Sequence, residues 1–373
     1  MIQLADTFTS RGNKFFHHPE ALEGLRNGKP RPVVTHLMLT DTCQHTCAFC
    51  SVATREGNSL TNIQIGGYIE RLIPFGLKSV ILSGGGNPIL YKNNGQDFND
   101  VVDYLHGRGL EIGVITNGMP LVSYGDRRSW KTVRPSTLDK LTWVRISMSG
   151  LDHKENEVFV PDIDPSKTTL GFSYVAHDIY EVPEEPNHGK VSTEEDLVQF
   201  GGNAKSVVRF EDRIPILTRQ IGDMVRQHRP TYIRLLPNCL EVPKIKGRCQ
   251  QLQAIADAID PSVVFVQYKP PEAPPACYLG YLHPVLNSDG YVYPCDSCVL
   301  NKTAGHKFAE PWRICRWDEI GELYSKPART LIKDPAKQCP GCVFTKSNNL
   351  LTEIHNSTTP LPAPEPVQHP NFI

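Results

Sequence analysis

Six short apolar runs, most of them separated by helix-like stretches, set the fold class of this 373-residue chain. Their centres fall at His36, Val80, Val114, Val144, Tyr174 and Ile233. Strands that alternate with helices run parallel, because a crossover long enough to hold a helix carries the chain back to the end it started from. Thr61 to Pro74 shows the helical period, with Ile63, Ile65, Tyr68, Ile69, Leu72 and Ile73 recurring on one side. Phe98 to His106 and Ile214 to Gln227 read the same way. The expectation is an α/β fold with six βα units. In such folds functional groups gather at the C-terminal ends of the strands. The suggestive motifs lie there: Asp41–Cys50 after the first strand, Ser83–Pro88 after the second, Thr116–Gly118 after the third and Ser147–Gly150 after the fourth.

The first of these motifs holds Cys43, Cys47 and Cys50 within eight residues. Three thiolates on one tight loop can bind three irons of a cubane cluster and leave the fourth iron without a protein ligand. Such an iron is free to bind a substrate or cofactor directly. Zinc is the competing reading, but it commonly takes two ligands from one turn and two from another. His45 would be the nearest fourth ligand, and its place inside the loop makes a closed tetrahedron awkward. A disulfide framework is disfavoured, since the eleven cysteines come without a secretory leader pattern and suggest a reducing cytosol.

The spacing Cys-x3-Cys-x2-Cys after a first strand resembles that of the radical S-adenosylmethionine superfamily. The resemblance implies a partial (βα)6 TIM barrel and a 4Fe–4S cluster whose open iron chelates S-adenosylmethionine. It further implies reductive cleavage of that cofactor to a 5′-deoxyadenosyl radical, with flavodoxin or ferredoxin as reductant. Phe49 occupies the position of an aromatic that packs near the adenine. Ser83, Gly84, Gly85, Gly86 and Asn87 stand where relatives carry a Gly-Gly-Glu-Pro run facing the cofactor's amino group, with Asn87 replacing the glutamate. Asn117 and Ser147 resemble positions that contact the ribose.

Period-two alternation in Trp143–Ser149 puts Val144, Ile146 and Met148 on one face and Arg145, Ser147 and Ser149 on the other. The apolar face suits the surrounding helices, so an arginine and two hydroxyls point into the barrel. A buried guanidinium needs an anion, either the cofactor's carboxylate or a carboxylate of the barrel. Arg234 on the last strand carries the same two readings. Cys239, just beyond that strand, is a candidate catalytic thiol or a buried core thiol. Arg127, Arg128, Lys131 and Arg134 around Trp130 form the one local basic cluster, either a grip for nucleic acid or a solvated loop.

A second cysteine set follows the Pro270–Pro275 stretch. Cys277, Cys295, Cys339 and Cys342, with the hairpin-like Val285–Pro294 and its Asp289-Gly290 turn, resemble the SPASM/twitch domain that holds an auxiliary 4Fe–4S cluster. A zinc ribbon on Cys295, Cys298, Cys339 and Cys342 is the alternative, and it leaves Cys277 idle. Cys298 and Cys315 are spare in the cluster reading.

The domain expectation is an extension over 1–32, a barrel over 33–240 with 151–205 as insertion or lid, a helix and Pro-rich linker over 241–275, a twitch-type β-hairpin and helix domain over 276–345, and a Pro-rich tail over 346–373. A net charge of −1 gives no global reason to expect polyanion binding, and no run is apolar enough to span a membrane. The expected location is cytoplasmic. About 35 residues precede the first strand, too few for a winged-helix peptide-binding domain, which favours a small metabolite, sugar or nucleotide as substrate. The expected outcome is its oxidation or rearrangement. Modification of a nucleic-acid base, modification of a ribosomal peptide, and a non-catalytic iron–sulfur or zinc scaffold are the alternatives.

Overall fold

The computed structural model describes residues 7–9, 12–45, 47, 49–50, 55–119, 133–152, 156–181, 206–239, 241–268, 272–296, 310–339 and 342–373. Its core is one sheet of ten strands. Seven are consecutive parallel neighbours: β1 (Val34–Leu37), β2 (Ser79–Leu82), β3 (Glu111–Thr116), β4 (Trp143–Ser147), β5 (Thr169–Ala176), β6 (Tyr232–Pro237) and β7 (Val264–Val266). The six expected centres fall inside β1 to β6. β7 extends the sheet by one strand, in a stretch whose three residues give too short a pattern to stand out beside the proline-rich segment that follows.

The hairpin expected around Asp289-Gly290 is present as β8 (Val285–Leu286) and β9 (Tyr291–Tyr293), with β10 (Cys315–Arg316) beside it. Gly290 takes the positive φ of +81° that its turn requires. The hairpin continues the barrel sheet: β8 pairs in parallel with β1, His36 opposite Val285 and Leu37 opposite Leu286. The sheet therefore ends on β7 at one side and β10 at the other, the open curve of a partial barrel.

Helices α1 (Pro19–Arg26), α2 (Asn62–Leu72), α3 (Phe98–Gly107), α4 (Phe210–His228), α5 (Ile245–Ile259) and α6 (Thr345–Asn356) complete the chain's main elements. α2 starts where Thr61 and Gln64 form a reciprocal cap, Thr61 Oγ1 accepting from the Gln64 N–H and Gln64 Oε1 from the Thr61 N–H. It buries Ile65, Tyr68, Ile69 and Leu72, while Ile63 faces water. On β4 the alternation holds: Val144 and Ile146 are fully buried in the apolar layer, and Trp143 and Arg145 line the barrel interior.

Two glycines make that interior possible. A Cβ on Gly113 would lie 2.1 Å from the Trp143 ring, and one on Gly171 would lie 2.2 Å from the Tyr232 ring. These rings form the barrel floor. Phe8 stacks on Tyr232 at 4.3 Å, and Phe372 meets Trp143 edge-on at 5.2 Å. The expected tail after residue 345 thus begins as α6 and then returns beneath the barrel, ending with Phe372 and Ile373 buried. Lys14 Nζ donates to the carbonyls of His369 and Phe372 and holds this strap in place.

Within the expected insertion, Ile179–Glu181 pairs antiparallel with Ser206–Val208. Residues 182–205 of it lie outside the described residues. No helix among the described residues is long and apolar enough to cross a membrane.

Asp178, just past β5, ties α4 and α5 to the sheet. Its carboxylate accepts from Arg248 Nη2 at 2.5 Å, Lys244 Nζ at 2.8 Å and the Phe210 N–H at 2.9 Å. Burial alone would raise its pKa, but the Lys244 and Phe210 hydrogen bonds and the Arg248 charge outweigh it and hold the group at about 2. A depressed carboxyl pKa stabilises the fold above the unfolded value and loses that contribution as pH falls through the folded value. Urea unfolding between about pH 4 and pH 2 should therefore show a steep loss of stability. Asp178→Asn is expected to be less stable at pH 7 and to show a shallower slope in that window.

Candidate functional site

The loop bearing Cys43, Cys47 and Cys50 leaves the C-terminal end of β1 alongside the glycine run that leaves β2. The two chains stay hydrogen-bonded beyond the sheet. Gly86 N donates to Thr40 O at 2.7 Å, and Asn87 N donates to Thr42 O at 2.9 Å. Side chains have no room here: a Cβ on Gly86 would sit 1.9 Å from Thr42 O, one on Gly85 2.7 Å from Thr40 O, and one on Gly84 2.6 Å from Met38 Cε. Gly84 and Gly85 also hold positive φ, +81° and +65°. The close approach expected toward a cofactor is made, in these three glycines, toward the cysteine loop itself.

Asn87 locks the same junction. Its Oδ1 accepts from Thr116 Oγ1 at 2.8 Å, and its Nδ2 donates to Asn117 Oδ1 at 2.8 Å. Asn117 Oδ1 also accepts from Gln44 Nε2, and Asn117 Nδ2 reaches Cys43 Sγ at 3.8 Å. Asn117 thus meets the cysteine loop and the glycine run; Ser83 is buried, and Ser147 sits half-buried at the end of β4 opposite Ser173.

The three thiols share one electrostatic environment. Burial raises Cys43, against the nearby Arg55 charge, and the Cys50 thiol adds to the rise. Burial raises Cys47 well above the ordinary thiol range, and Cys50 and Cys43 push it further. The Ser149 hydroxyl hydrogen-bonds Cys47 and opposes this shift. Arg55 donates to the carbonyls of Cys43 and His45, bracing the loop with a cation. Buried thiols that raise one another's pKa ionise when a cationic centre compensates the charge, which is what iron supplies. Among the described residues no three His, Cys, Asp or Glu side chains converge tightly enough to hold a single ion. A cluster asks for a wider set, one thiolate on each of several irons.

Phe49 meets the His177 ring edge-on at 5.0 Å. His177 is buried, donates through Nδ1 to Val175 O, and places Nε2 3.7 Å from Asp152 Oδ2. Arg213 pairs with Asp152 and donates to Tyr174 OH. Sequence reasoning missed this group, because its members lie on β5, α4 and the turn after β4, up to 61 residues apart. Arg55 was missed for lack of any motif around it.

The second set also comes together. Burial raises Cys277 well above the thiol range, with Cys295, Cys342 and Cys339 adding to it. Burial and the thiols of Cys295 and Cys342 push Cys339 up to about 12. Thr345 and Asn348 on α6 hydrogen-bond Cys342, and Asn348 Oδ1 accepts from the N–H groups of Tyr278 and Leu279. Cys315 stands apart, its environment set by burial and by Glu319 and Glu322, and Cys298 lies outside the described residues. Cys239 donates to Pro237 O at 3.8 Å and neighbours Cys249. Arg127, Arg128 and Lys131 lie outside the described residues, and Arg134 pairs with Asp103 at 2.9 Å. Arg145 and Arg234 both line a cavity inside the barrel.

Residues 37–158 match the Radical SAM superfamily, and this part of the chain is a radical SAM domain. A stretch of 142 residues is 28% identical to an S-adenosylmethionine-dependent nucleotide dehydratase of Selenomonas ruminantium, covering 38% of this chain and 48% of that protein. The match thus spans about half the length of that relative. The solved structure of native anSMEcpe with bound AdoMet superposes with a TM-score of 0.47 at 15% identity, over 85% of this chain and 88% of that one. Streptococcus suis SuiB bound to S-adenosylmethionine gives 0.48 at 11% identity, over 83% and 69%. The superfamily's cofactors, a 4Fe–4S cluster and S-adenosylmethionine, fit the donor set of three thiols at the end of β1.

Gly86→Ala tests the junction. The added methyl must displace Thr42, at an overpacking cost of about 1–3 kcal/mol, and shift the cysteine loop. Reconstituted protein should keep its circular dichroism spectrum while binding less iron than the unaltered chain.

Proposed function

We propose that the chain is a radical S-adenosylmethionine enzyme that oxidises or rearranges a small metabolite, sugar or nucleotide. Cys43, Cys47 and Cys50 would hold the first 4Fe–4S cluster. Cys277, Cys295, Cys339 and Cys342 would hold an auxiliary one. The observation that carries the reading is the position of the three coupled thiols at the C-terminal end of β1, above the barrel interior. When bound, the cofactors would supply one-electron cleavage of the sulfonium to methionine and a 5′-deoxyadenosyl radical, and a second redox centre able to accept an electron.

The chain's own residues set the conditions for this chemistry. Asn117 and Ser149 donate to the sulfurs of Cys43 and Cys47, stabilising their ionised form. The glycine run fixes the height of the loop over the barrel. Asp296, next to Cys295, and Val343 and Phe344, next to Cys342, line the barrel cavity. This brings the second cysteine set beside the space where a substrate would lie, which favours an oxidation with the auxiliary cluster as acceptor. The small-molecule reading accords with the similar nucleotide dehydratase, which by its name acts on a nucleotide. The nucleic-acid alternative loses support from Arg134, whose charge is already paired with Asp103.

Anaerobically reconstituted protein should hold about eight irons per chain and release 5′-deoxyadenosine on reduction with S-adenosylmethionine. Replacing Cys43, Cys47 and Cys50 together by alanine should leave about four irons and no release. Continued release from that variant would overturn the reading.

A further inference from the structure

The barrel interior holds a cavity of about 230 Å³, just below the usual range for ligand pockets and so suited to a small molecule or one end of a larger one. Its lining has an unbalanced charge. Arg145 and Arg234 face it, and among the described lining residues Asp296 is the one carboxylate. Lys14 also lines it, but burial and then the Arg145 charge push its pKa down to about 7, so it is only partly charged near neutrality. Arg145, on β4, lies over the Trp143 ring at 5.6 Å, and its Nε is buried without a hydrogen-bond acceptor. Arg234, on β6, donates from Nη1 to Gln267 Oε1 at 2.8 Å, and its Nε is likewise buried without an acceptor.

The remaining polar groups do not neutralise the pair. His36 and His283 stack at 5.4 Å, and His283 donates from Nδ1 to Ile373 O. The Nε2 atoms of both rings are buried without partners. Burial, and then the His283 ring, push His36 down to about 3, so it stays neutral at physiological pH. Burial, and then the Arg145 charge, push Arg234 down to about 9; the two guanidinium groups repel each other across the cavity. A guanidinium pair with open donors, in a lining whose described residues offer one carboxylate, is a receptor for an oxyanion.

We propose that Arg145 and Arg234 bind the carboxylate or phosphate group of a small substrate inside the barrel. The described residues lining the cavity include none from the Cys43–Cys50 loop, the Ser83–Asn87 run or the Asn117 turn. On this proposal the anion is that of a second molecule and not the cofactor's own carboxylate. The Trp143 and Tyr232 floor and the strap around His369 and Phe372 close the far end of the cavity. A substrate held by its anionic end would present its other end toward the cofactor loop. Calling the bound molecule a substrate rests on the proposed radical chemistry; the oxyanion site itself does not.

The test titrates the chain with inorganic phosphate in one arm and acetate in the other, at constant ionic strength. The readouts are tryptophan fluorescence, to which Trp143 beneath Arg145 contributes, and the thermal midpoint. At least one anion should give a saturable change in both, and the arm that saturates identifies the group. Arg145→Gln and Arg234→Gln should each weaken that response at least about tenfold, and Arg145→Lys should weaken it less. The Cys43, Cys47 and Cys50 alanine variant should keep the response, which separates failure of this site from failure of the proposed chemistry. No saturable response in either arm would overturn the proposal. So would an unchanged response in both glutamine variants, or loss of S-adenosylmethionine binding in Arg145→Gln with the anion response intact.

Discussion

The site depends on the backbone contact between the glycine run and the cysteine loop. β1 and β2 do not part where the sheet ends; their hydrogen bonding continues from Ser83 N–Leu37 O through Gly86 N–Thr40 O to Asn87 N–Thr42 O. A contact this close excludes any side chain, and positive φ at Gly84 and Gly85 excludes most residues on conformational grounds as well. The cysteine loop is thereby held at a fixed height and angle over the barrel before any iron is present. Asn87 and Asn117 then fasten the end of β3 to the same junction, so three adjacent strands deliver their loops to one place.

On that frame the electrostatics fall into two kinds. Around each cysteine set, burial and neighbouring thiols raise thiol pKa values, Cys43 and Cys47 in the first and Cys277 and Cys339 in the second, which favours their neutral form. Arg55 braces the first set through backbone carbonyls, and α6 serves the second through Thr345 and Asn348. Inside the barrel the opposite holds, with two guanidinium groups and, among the described lining residues, one carboxylate. Pairing β8 with β1 brings these two environments together. A separate domain on a linker would leave the second cysteine set free to move; a hairpin built into the barrel sheet keeps Asp296, Val343 and Phe344 in the cavity wall.

Much of this was legible in the sequence where a pattern is local. The six parallel strands announced themselves by short apolar runs, the Asp289-Gly290 hairpin by its turn, and the inward face of β4 by strict alternation. What escaped was set by contacts distant in sequence. β7 is three residues long, and its identity comes from pairing with β6. α6 and the strap after it looked like a proline-rich tail, yet apolar Phe372 and Ile373 find burial under the barrel, against a floor that exists only when Gly113 and Gly171 let Trp143 and Tyr232 in. The glycine run was recognised as a place of close approach, and its partner is the chain. The Asp152, His177, Arg213 and Tyr174 group joins three elements, and no spacing rule connects them.

The arginines of the barrel were legible as inward-facing but not in their purpose. Burying a charge without its partner is among the costliest things a fold can do, and chains usually avoid it by supplying a carboxylate or by leaving the site apolar. Here two guanidinium groups share a small cavity in which the described lining offers one carboxylate, Asp296, and an aromatic face and a glutamine serve as partial substitutes. The fold tolerates this because the rest of the barrel, sealed at the floor and clamped by Asp178 at α4 and α5, over-determines where the strands lie. An anionic ligand would then bind with the electrostatic deficit of the empty barrel as part of its driving force, and it would stabilise the folded chain by mass action. Such a site selects for charge at one end of a molecule and leaves the chemistry at the other end to the loops above it.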